Sequence, residues 1–401
     1  MKILQDGSVA TARGFKAAGV RAGVKPGSDK EDIALVYSER AASGAAVYTT
    51  NRVYAAPIDV DRDHLGNGGA QAVVLNSGNA NACTGEQGLA DARRMCQLVA
   101  EGLGLPAEEV LVCSTGVIGV PMPMEVIEKG IVKAVGALAV DGGAAAARAI
   151  MTTDTVPKSF AVEMEIGGKA VRVGGMAKGA GMIAPNMATM LSVITTDAEL
   201  PSDLLQEMLG KAIRRSFNCI TVDGDMSTND TVIVLANGAA EVALEAGTEE
   251  AEAFYEGLEE VCRQLARMLA RDGEGATKLI SIKVRSARNE AEARQVGLSV
   301  ANSNLVKTAV FGNDPNWGRI LCATGYAGVE LDPEQAEVSL CGTVIFKNGA
   351  GQPFAEKELS AAMQIDEIPI DIDLAQGEAE AEIFTCDLSY EYVRINAEYT
   401  T

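Results

Sequence analysis

Short apolar runs and longer segments of helical periodicity alternate along the chain. Residues 71–76 (QAVVLN) and 110–114 (VLVCS) are apolar runs of strand length. Between them, residues 88–103 predict a helix, because its apolar residues recur at i, i+3 and i+4: Leu89, Ala92, Met95, Cys96 and Val99. The Ala-rich residues 124–150 predict one or two helices, broken by glycine near 142–143.

The remaining pattern predicts strands joined by short turns together with further helices. FAVEMEI and KAVRV alternate with period two across Gly167-Gly168, which predicts a β-hairpin. Strands are predicted for LSVITTDA, LISIKV (279–284), AVFG, AEVSLCGTVIFKN and EAEIFTCDLSYEYVRIN, and helices for residues 201–216, 249–271 and about 287–300. The fold class is therefore α/β, with mixed sheets, antiparallel pairing and packed helices. A boundary is expected near 185–200, where a Gly/Pro/Met-rich stretch separates two halves of similar size.

Composition excludes several classes of partner. The chain has 401 residues, 47% of them hydrophobic, which is enough for a sizeable core. Its formal net charge is −21, and a field of that sign repels phosphate backbones and anionic lipids. We therefore expect neither nucleic acid nor membrane as partner. The N-terminal stretch has no apolar signal core and no apolar run reaches 18 residues, so the expected location is the cytoplasm.

The scarcity of histidine narrows the possible chemistry. His64 is the one histidine and lies in a turn-rich stretch, typical of an exposed loop. An HExxH metal site is therefore excluded, and a nucleophile would need a base other than histidine. The eight cysteines form no CxxC pair, and most are interpreted as small buried hydrophobes.

Two other motif classes are absent. The glycine-rich segments match neither a GxxxxGK[ST] loop nor a strand-borne GxGxxG, so nucleotide binding is not predicted. The acidic stretch VDGDMSTND, with Asp223, Asp225 and Asp230, lacks the closing glutamate of a calcium loop. No metal site is expected.

The stretch GGMAKGAGMIAPNMATMLSVITT (174–196) has two interpretations. By composition it is a tight loop that leads into a strand. Alternatively, it carries an internal nucleophile, Thr189. A break before Thr189 would create an α-amine with a pKa of about 7.7–8.0, tethered to the threonine hydroxyl. That amine would be the base that a histidine-poor chain otherwise lacks.

The chain resembles the ornithine acetyltransferase (glutamate N-acetyltransferase) family of arginine biosynthesis. The matching motifs extend along nearly the whole chain, and several are long. They are NSGNANACTG (76–85), CSTGVIG (113–119), MTTDT (151–155), GGMAKGAGMIAPNMATML (174–191), FNCITVDGDMSTNDT (217–231), DGEGATK (272–278), NDPNWGR (313–319) and the C-terminal YVRINAEYTT.

The resemblance implies site residues, position by position. Family members cleave themselves before the threonine of the ATM triplet, here the Ala188–Thr189 bond, which gives an α chain of 1–188 and a β chain of 189–401 that starts with the nucleophile. Thr115 and Gly116 correspond to the oxyanion hole of the family, although without the resemblance they would be interpreted as a turn after a strand. The implied substrate contacts are Thr152, Lys178, Thr189, Glu274, Asn396 and Thr401.

The implied activity is transfer of an acetyl group from N²-acetyl-L-ornithine to L-glutamate through an acetyl-enzyme. The resemblance also implies an aminopeptidase-like N-terminal-nucleophile fold and an α₂β₂ heterotetramer, with no metal or cofactor. Whether acetyl-CoA is a second acetyl donor stays open. One alternative is a self-processed amidohydrolase or aminopeptidase that passes the acyl group to water; another is a non-catalytic binding protein whose Thr189 loop stays uncut.

Overall fold

The computed structural model describes residues 1–184 and 190–398. Within them the chain forms strands β1 (Lys2–Ile3), β2 (Phe15–Val20), β3 (Ile33–Ser38), β4 (Ser43–Tyr48), β5 (Ala72–Asn79), β6 (Val110–Val117), β7 (Lys158–Ile166), β8 (Lys169–Lys178), β9 (Leu191–Thr196), β10 (Thr231–Ala236), β11 (Leu279–Ala287), β12 (Glu337–Leu340), β13 (Thr343–Lys347), β14 (Ala350–Gly351), β15 (Glu367–Asp373) and β16 (Ala379–Cys386). The helices are α1 (Ala56–His64), α2 (Gly85–Leu103), α3 (Met124–Gly136), α4 (Gly143–Ala149), α5 (Ser202–Arg215), α6 (Glu249–Arg271), α7 (Glu290–Ala301), α8 (Asn304–Phe311), α9 (Trp317–Gly325), α10 (Glu356–Ala362) and α11 (Tyr390–Glu398).

The described strands form three mixed sheets. The first has the order β1-β7-β8-β9-β10-β4, the second β2-β3-β5-β6 and the third β14-β13-β12-β15-β11-β16. Each sheet contains one parallel pair, namely β9 with β10, β5 with β6, and β11 with β15. The other pairs are antiparallel, as expected from the sequence.

The first two sheets pack face to face between layers of helices. Met176, Val193 and Ile233 of the first sheet share a core with Val73 and Leu111 of the second. The outer face of the first sheet packs on α5 and α6, and that of the second on α1, α2 and α3. Strands covered on both faces are apolar at successive positions rather than at alternate ones, which explains runs such as QAVVLN. The result is a four-layer α/β/β/α arrangement, flanked by the third sheet with α7–α9.

Several elements agree with the sequence prediction. The hairpin of β7 and β8 turns at Gly167 and Gly168, whose φ angles are +56° and +74°. Two consecutive positive φ values suit glycine and match the right-handed twist of a hairpin. The Ala-rich segment is two helices, α3 and α4, and Gly142 lies between them.

One predicted strand is wrong, and another is longer than the observed strand. AVFG (309–312) lies mainly in helix α8, which Ser303 caps by accepting a hydrogen bond from the N–H of Val306 at 3.4 Å. A short apolar run does not distinguish a strand from a buried helix. In EAEIFTCDLSYEYVRIN, strand β16 ends at Cys386 and helix α11 follows. There the Ser389 hydroxyl accepts a hydrogen bond from the N–H of Glu391 at the start of the helix.

The strands on the two sides of the predicted break belong to one sheet. β8, which precedes it, pairs antiparallel with β9, which follows it, over six residues of each strand. The sheet therefore contains strands from both halves of the chain. Among the described residues, no helix is long and apolar enough to cross a membrane.

Candidate active site

The site lies where strands of the two facing sheets end. Lys178 is the last residue of β8, and Thr115 lies near the end of β6. The Lys178 ammonium donates a hydrogen bond to the Thr115 hydroxyl at 3.3 Å, and the two residues are 2% and 6% exposed. Two predicted site residues 63 positions apart are thus in contact.

Thr115 and Gly116, near the end of strand β6, pair irregularly with β5 and are called the oxyanion turn below; Gly116 must be glycine. Its φ is +138°, and a Cβ there would lie 2.3 Å from the carbonyl carbon of Gly78 on the neighbouring strand β5. Hydrogen bonds hold Ser114, two residues before Gly116, from both sides. The Ser114 hydroxyl donates to Asn76 Oδ1 at 2.6 Å, and Asn229 Nδ2 donates to the Ser114 carbonyl at 2.8 Å. The turn therefore has a defined backbone, as a preorganised oxyanion site needs.

A buried carboxylate, Asp154, joins two of the predicted substrate contacts. It accepts hydrogen bonds from the N–H of Thr152 at 2.9 Å and the N–H of Gly179, next to Lys178, at 2.7 Å. Burial alone would raise the pKa of Asp154, but Lys178 and Lys158 outweigh it and lower that pKa to about 2. Asp154 is therefore ionised at neutral pH.

Lys178 is, with Lys158, one of two buried lysines in this cluster. Burial lowers the pKa of its ammonium, and the positive charge of Lys158 acts in the same direction. The carboxylates of Asp154, Asp230 and Glu274 act in the opposite direction. Such a cation can hold a carboxylate or stabilise a developing negative charge.

Asp230 lies at the start of β10, beside the chain that leads into β9. Its Oδ1 accepts the N–H of Met190 at 2.7 Å, and its Oδ2 has no hydrogen-bond partner among the described residues. Burial raises the pKa of Asp230 to about 8, although the Met190 N–H, the Thr49 hydroxyl and the Lys178 cation act in the opposite direction. A titratable carboxyl therefore contacts Met190, the residue that follows the predicted nucleophile in the sequence.

This raised pKa makes a prediction for the Asp230→Asn variant. Between the unfolded pKa of about 3.9 and the folded pKa of about 8, the folded protein keeps a proton that the unfolded chain loses. Stability contributed by Asp230 is therefore lost as pH rises through this window. We expect Asp230→Asn to weaken the fall in melting temperature between pH 5 and pH 8. An equal fall in both proteins would contradict the prediction, and Asp141→Asn, an exposed carboxyl, is the control.

The C-terminal helix α11 brings the predicted contact Asn396 to another, Glu274, which lies shortly after α6. Asn396 Nδ2 donates to Glu274 Oε2 at 2.8 Å. A Cβ on Gly181 would lie 2.4 Å from the Glu274 carboxyl carbon, so this carboxylate packs against the segment before the predicted break. The Tyr392 hydroxyl donates to Asp223 at 3.3 Å, and Asp223 also accepts the N–H of Met182 at 2.6 Å.

The described residues thus bring most of the predicted site together in pairs. Thr115 contacts Lys178, and Asn396 contacts Glu274. Asp154 accepts hydrogen bonds both from Thr152 and from Gly179, the residue after Lys178. Ala188, Thr189 and Thr401 lie outside the described residues. The sequence reasoning missed Asp154, Lys158, Asp230 and Asp272; Asp154, Asp230 and Asp272 stand within motifs that carried the resemblance, which was the available signal.

Residues with other candidate chemistry lie elsewhere. His64 Nδ1 is 2.7 Å from the carbonyl oxygen of Val110, at the opposite end of β6 from Thr115. Burial raises the pKa of the Cys113 thiol, which makes it a poor nucleophile. Within residues 1–184 and 190–398, no group of three His, Cys, Asp or Glu side chains could hold a metal ion.

Comparison with known proteins identifies the family of this chain. The model of the ArgJ family matches residues 16–401. The chain belongs to the ArgJ family. The arginine biosynthesis bifunctional protein ArgJ of Caldanaerobacter subterraneus subsp. tengcongensis is 51% identical over 406 residues, covering 100% of both chains. That of Symbiobacterium thermophilum is 51% identical over 399 residues, covering 98% of this chain and 99% of its own. The resemblance found in the sequence motifs is confirmed.

A solved ArgJ structure also matches. The crystal structure of the arginine biosynthesis bifunctional protein ArgJ from Bacillus halodurans is 44% identical, with a TM-score of 0.52. It covers 53% of this chain and 100% of the solved chain. The α/β fold class predicted from the sequence is therefore confirmed.

Proposed function

We propose that this ArgJ family member is an ornithine acetyltransferase of arginine biosynthesis, which transfers acetyl from N²-acetyl-L-ornithine to L-glutamate. The observation that carries the proposal is the contact between Lys178 and Thr115. It joins the oxyanion turn to the strand that leads toward Thr189, in the family whose curated members are named for arginine biosynthesis. Metal ions and cofactors have no part in the proposed reaction.

The precursor would mature by cleaving its Ala188–Thr189 bond. The residues from Thr189 onward make up 53% of this chain, the same share that the whole solved Bacillus halodurans chain covers. That agreement supports the proposal. The pairing of β8 with β9 would hold the fragments together after cleavage. We further propose that two such pairs form an α₂β₂ heterotetramer in the cytoplasm.

The proposed reaction is a double displacement. The α-amine of Thr189 takes the proton from its own hydroxyl, whose oxygen attacks the acetyl carbonyl. Thr115 and Gly116 stabilise the oxyanion; the C–N bond then breaks and ornithine leaves with the proton. The amine of L-glutamate attacks the acetyl ester, and N-acetylglutamate leaves as the threonine hydroxyl is restored.

The substrate contacts follow from the charges of the pocket. Lys178 would hold the α-carboxylate common to both amino acids, close to the oxyanion turn. Glu274, held by Asn396, would bind the side-chain ammonium of ornithine. Thr152 and Thr401 complete the proposed set. Because curated relatives are named bifunctional, we include acetyl-CoA as a second acetyl donor.

Denaturing mass spectrometry tests the proposal. The purified protein is measured before and after incubation with N²-acetyl-L-ornithine in the absence of acceptor. We expect two fragments that meet at 188/189, with one acetyl group on the Thr189 fragment that L-glutamate removes. Acetyl release to water at the same rate with and without glutamate would favour the hydrolase. One intact, unmodified chain would overturn the mechanism.

A further inference from the structure

A buried ion triad lies behind the substrate-contact residues. The Lys158 ammonium donates to Asp154 Oδ1 and to Asp272 Oδ2, both at 2.6 Å, and to the carbonyl of Val156 at 3.3 Å. The side chains of Lys158, Asp154 and Asp272 are 1%, 0% and 6% exposed. Three charges that are almost fully removed from solvent are costly unless each has its partner in place.

Both carboxylates of the triad are connected to residues of the predicted site. Asp154 holds the backbone N–H of Thr152 and of Gly179, which follows Lys178. Asp272 comes two residues before Glu274, whose own N–H donates to the Ala180 carbonyl at 2.7 Å. Lys158 therefore connects the backbone of three segments that carry predicted substrate contacts.

A second set of bonds joins the same segments on the Asp272 side. Asp272 accepts the N–H of Thr155 at 3.0 Å and a further hydrogen bond from the Thr155 hydroxyl. The loop from Thr152 to Lys158 is thus tied to the end of α6 at several points. Lys158 and Asp154 precede the predicted break and Asp272 follows it, so the connection spans both fragments.

We propose that Lys158 is a positioning residue for acetyl transfer, which sets the spacing between the carboxylate-binding side of the pocket at Thr152 and Lys178 and its ammonium-binding side at Glu274. This inference rests on the proposed function. A substrate such as N²-acetyl-L-ornithine must reach both sides at once while its acetyl group meets the oxyanion turn. Because one ångström of misplacement can cost about 10²-fold in rate, this spacing determines the efficiency of the reaction.

The test separates positioning from stability by balancing the charge. Lys158→Met alone leaves two buried carboxylates with one fewer cation and destabilises the fold. The double variant Lys158→Met/Asp272→Asn removes one charge of each sign. It leaves Asp154 with its hydrogen bonds from the N–H of Thr152 and of Gly179 and with the favourable charge of Lys178. We expect its melting temperature to lie close to that of the wild type. We also expect KM for N²-acetyl-L-ornithine to rise about tenfold or more, with a smaller change in kcat.

The control is a pair of opposite charges on the protein surface. Arg271 ends α6 and lies 3.7 Å from Asp366, with side chains 42% and 95% exposed. Arg271→Met/Asp366→Asn should leave KM unchanged. If the buried double variant is folded and keeps the wild-type KM, Lys158 is only structural and the inference is overturned. Failure of the wild type itself to transfer acetyl would instead refute the proposed function.

Discussion

Thr189→Ala is expected to yield one intact chain of 41.7 kDa that transfers no acetyl group. In the proposed scheme one hydroxyl performs two tasks, attack on its own preceding carbonyl during maturation and attack on the acetyl carbonyl during turnover. Removal of a catalytic nucleophile typically lowers kcat by about 10⁴-fold or more. Denaturing electrophoresis and an assay of N-acetylglutamate formation measure both effects in the same preparation.

Thr189→Ser is the matched control, because it keeps the hydroxyl and removes only a methyl group. We expect this variant to cleave and to form an acetyl-enzyme at a reduced rate. The two results together distinguish the loss of the nucleophile from a disturbance of the loop. A Thr189→Ala chain that still separates into two fragments would place the break, or its nucleophile, elsewhere.

Cleavage at this position would have an unusual structural setting. β9 lies in the interior of the first sheet, between β8 and β10, and both faces of the sheet are covered. Met190, which would follow the new N-terminal residue, is 2% exposed and belongs to the core on one face of this sheet. Burial of this kind limits the access of water. An acetyl ester needs this protection from hydrolysis if it is to persist until an amine acceptor binds.

Much of the fold follows from the periodicity of the sequence. QAVVLN and VLVCS each contain four consecutive apolar residues because their sheet is covered on both faces. The helices α2 and α6 each have a clear apolar side. The strand predicted for AVFG was wrong because so short an apolar run is compatible with either a strand or a helix. The helix after β16 was missed because polar and apolar residues alternate in CDLSYEYV, as in a strand. In the structure, the Ser389 hydroxyl accepts a hydrogen bond from the N–H of Glu391 and so caps the start of the helix.

The site was less accessible to sequence reasoning. Lys178 and Thr115 were predicted through the resemblance, but their direct contact depends on how the two sheets face each other. Lys158 and Asp272 are 114 residues apart, and no local pattern relates a strand residue to the end of a distant helix. Periodicity identifies surfaces that are buried, whereas the partner of a buried charge is set by tertiary packing.

Thr115→Val is expected to lower kcat for acetyl transfer by about 10²–10³-fold, with little change in KM. Valine keeps the shape and the β-branch of threonine, so strand β6 is retained while the hydroxyl is lost. That hydroxyl is the proposed oxyanion donor and the acceptor of the Lys178 hydrogen bond. Single-turnover acetylation of the enzyme by N²-acetyl-L-ornithine measures the affected step directly.

Ser114→Ala separates this effect from a general weakening of the turn. The Ser114 hydroxyl bonds Asn76 rather than Lys178, and successive residues of a strand point to opposite faces. Loss of that buried hydrogen bond should cost about 1 kcal/mol of stability and leave kcat nearly unchanged. If both variants slow acetylation equally, the turn acts through its backbone alone, and the proposed donor role of the Thr115 hydroxyl is wrong. A slow Thr115→Val beside a normal Ser114→Ala would assign the oxyanion contact to that one side chain.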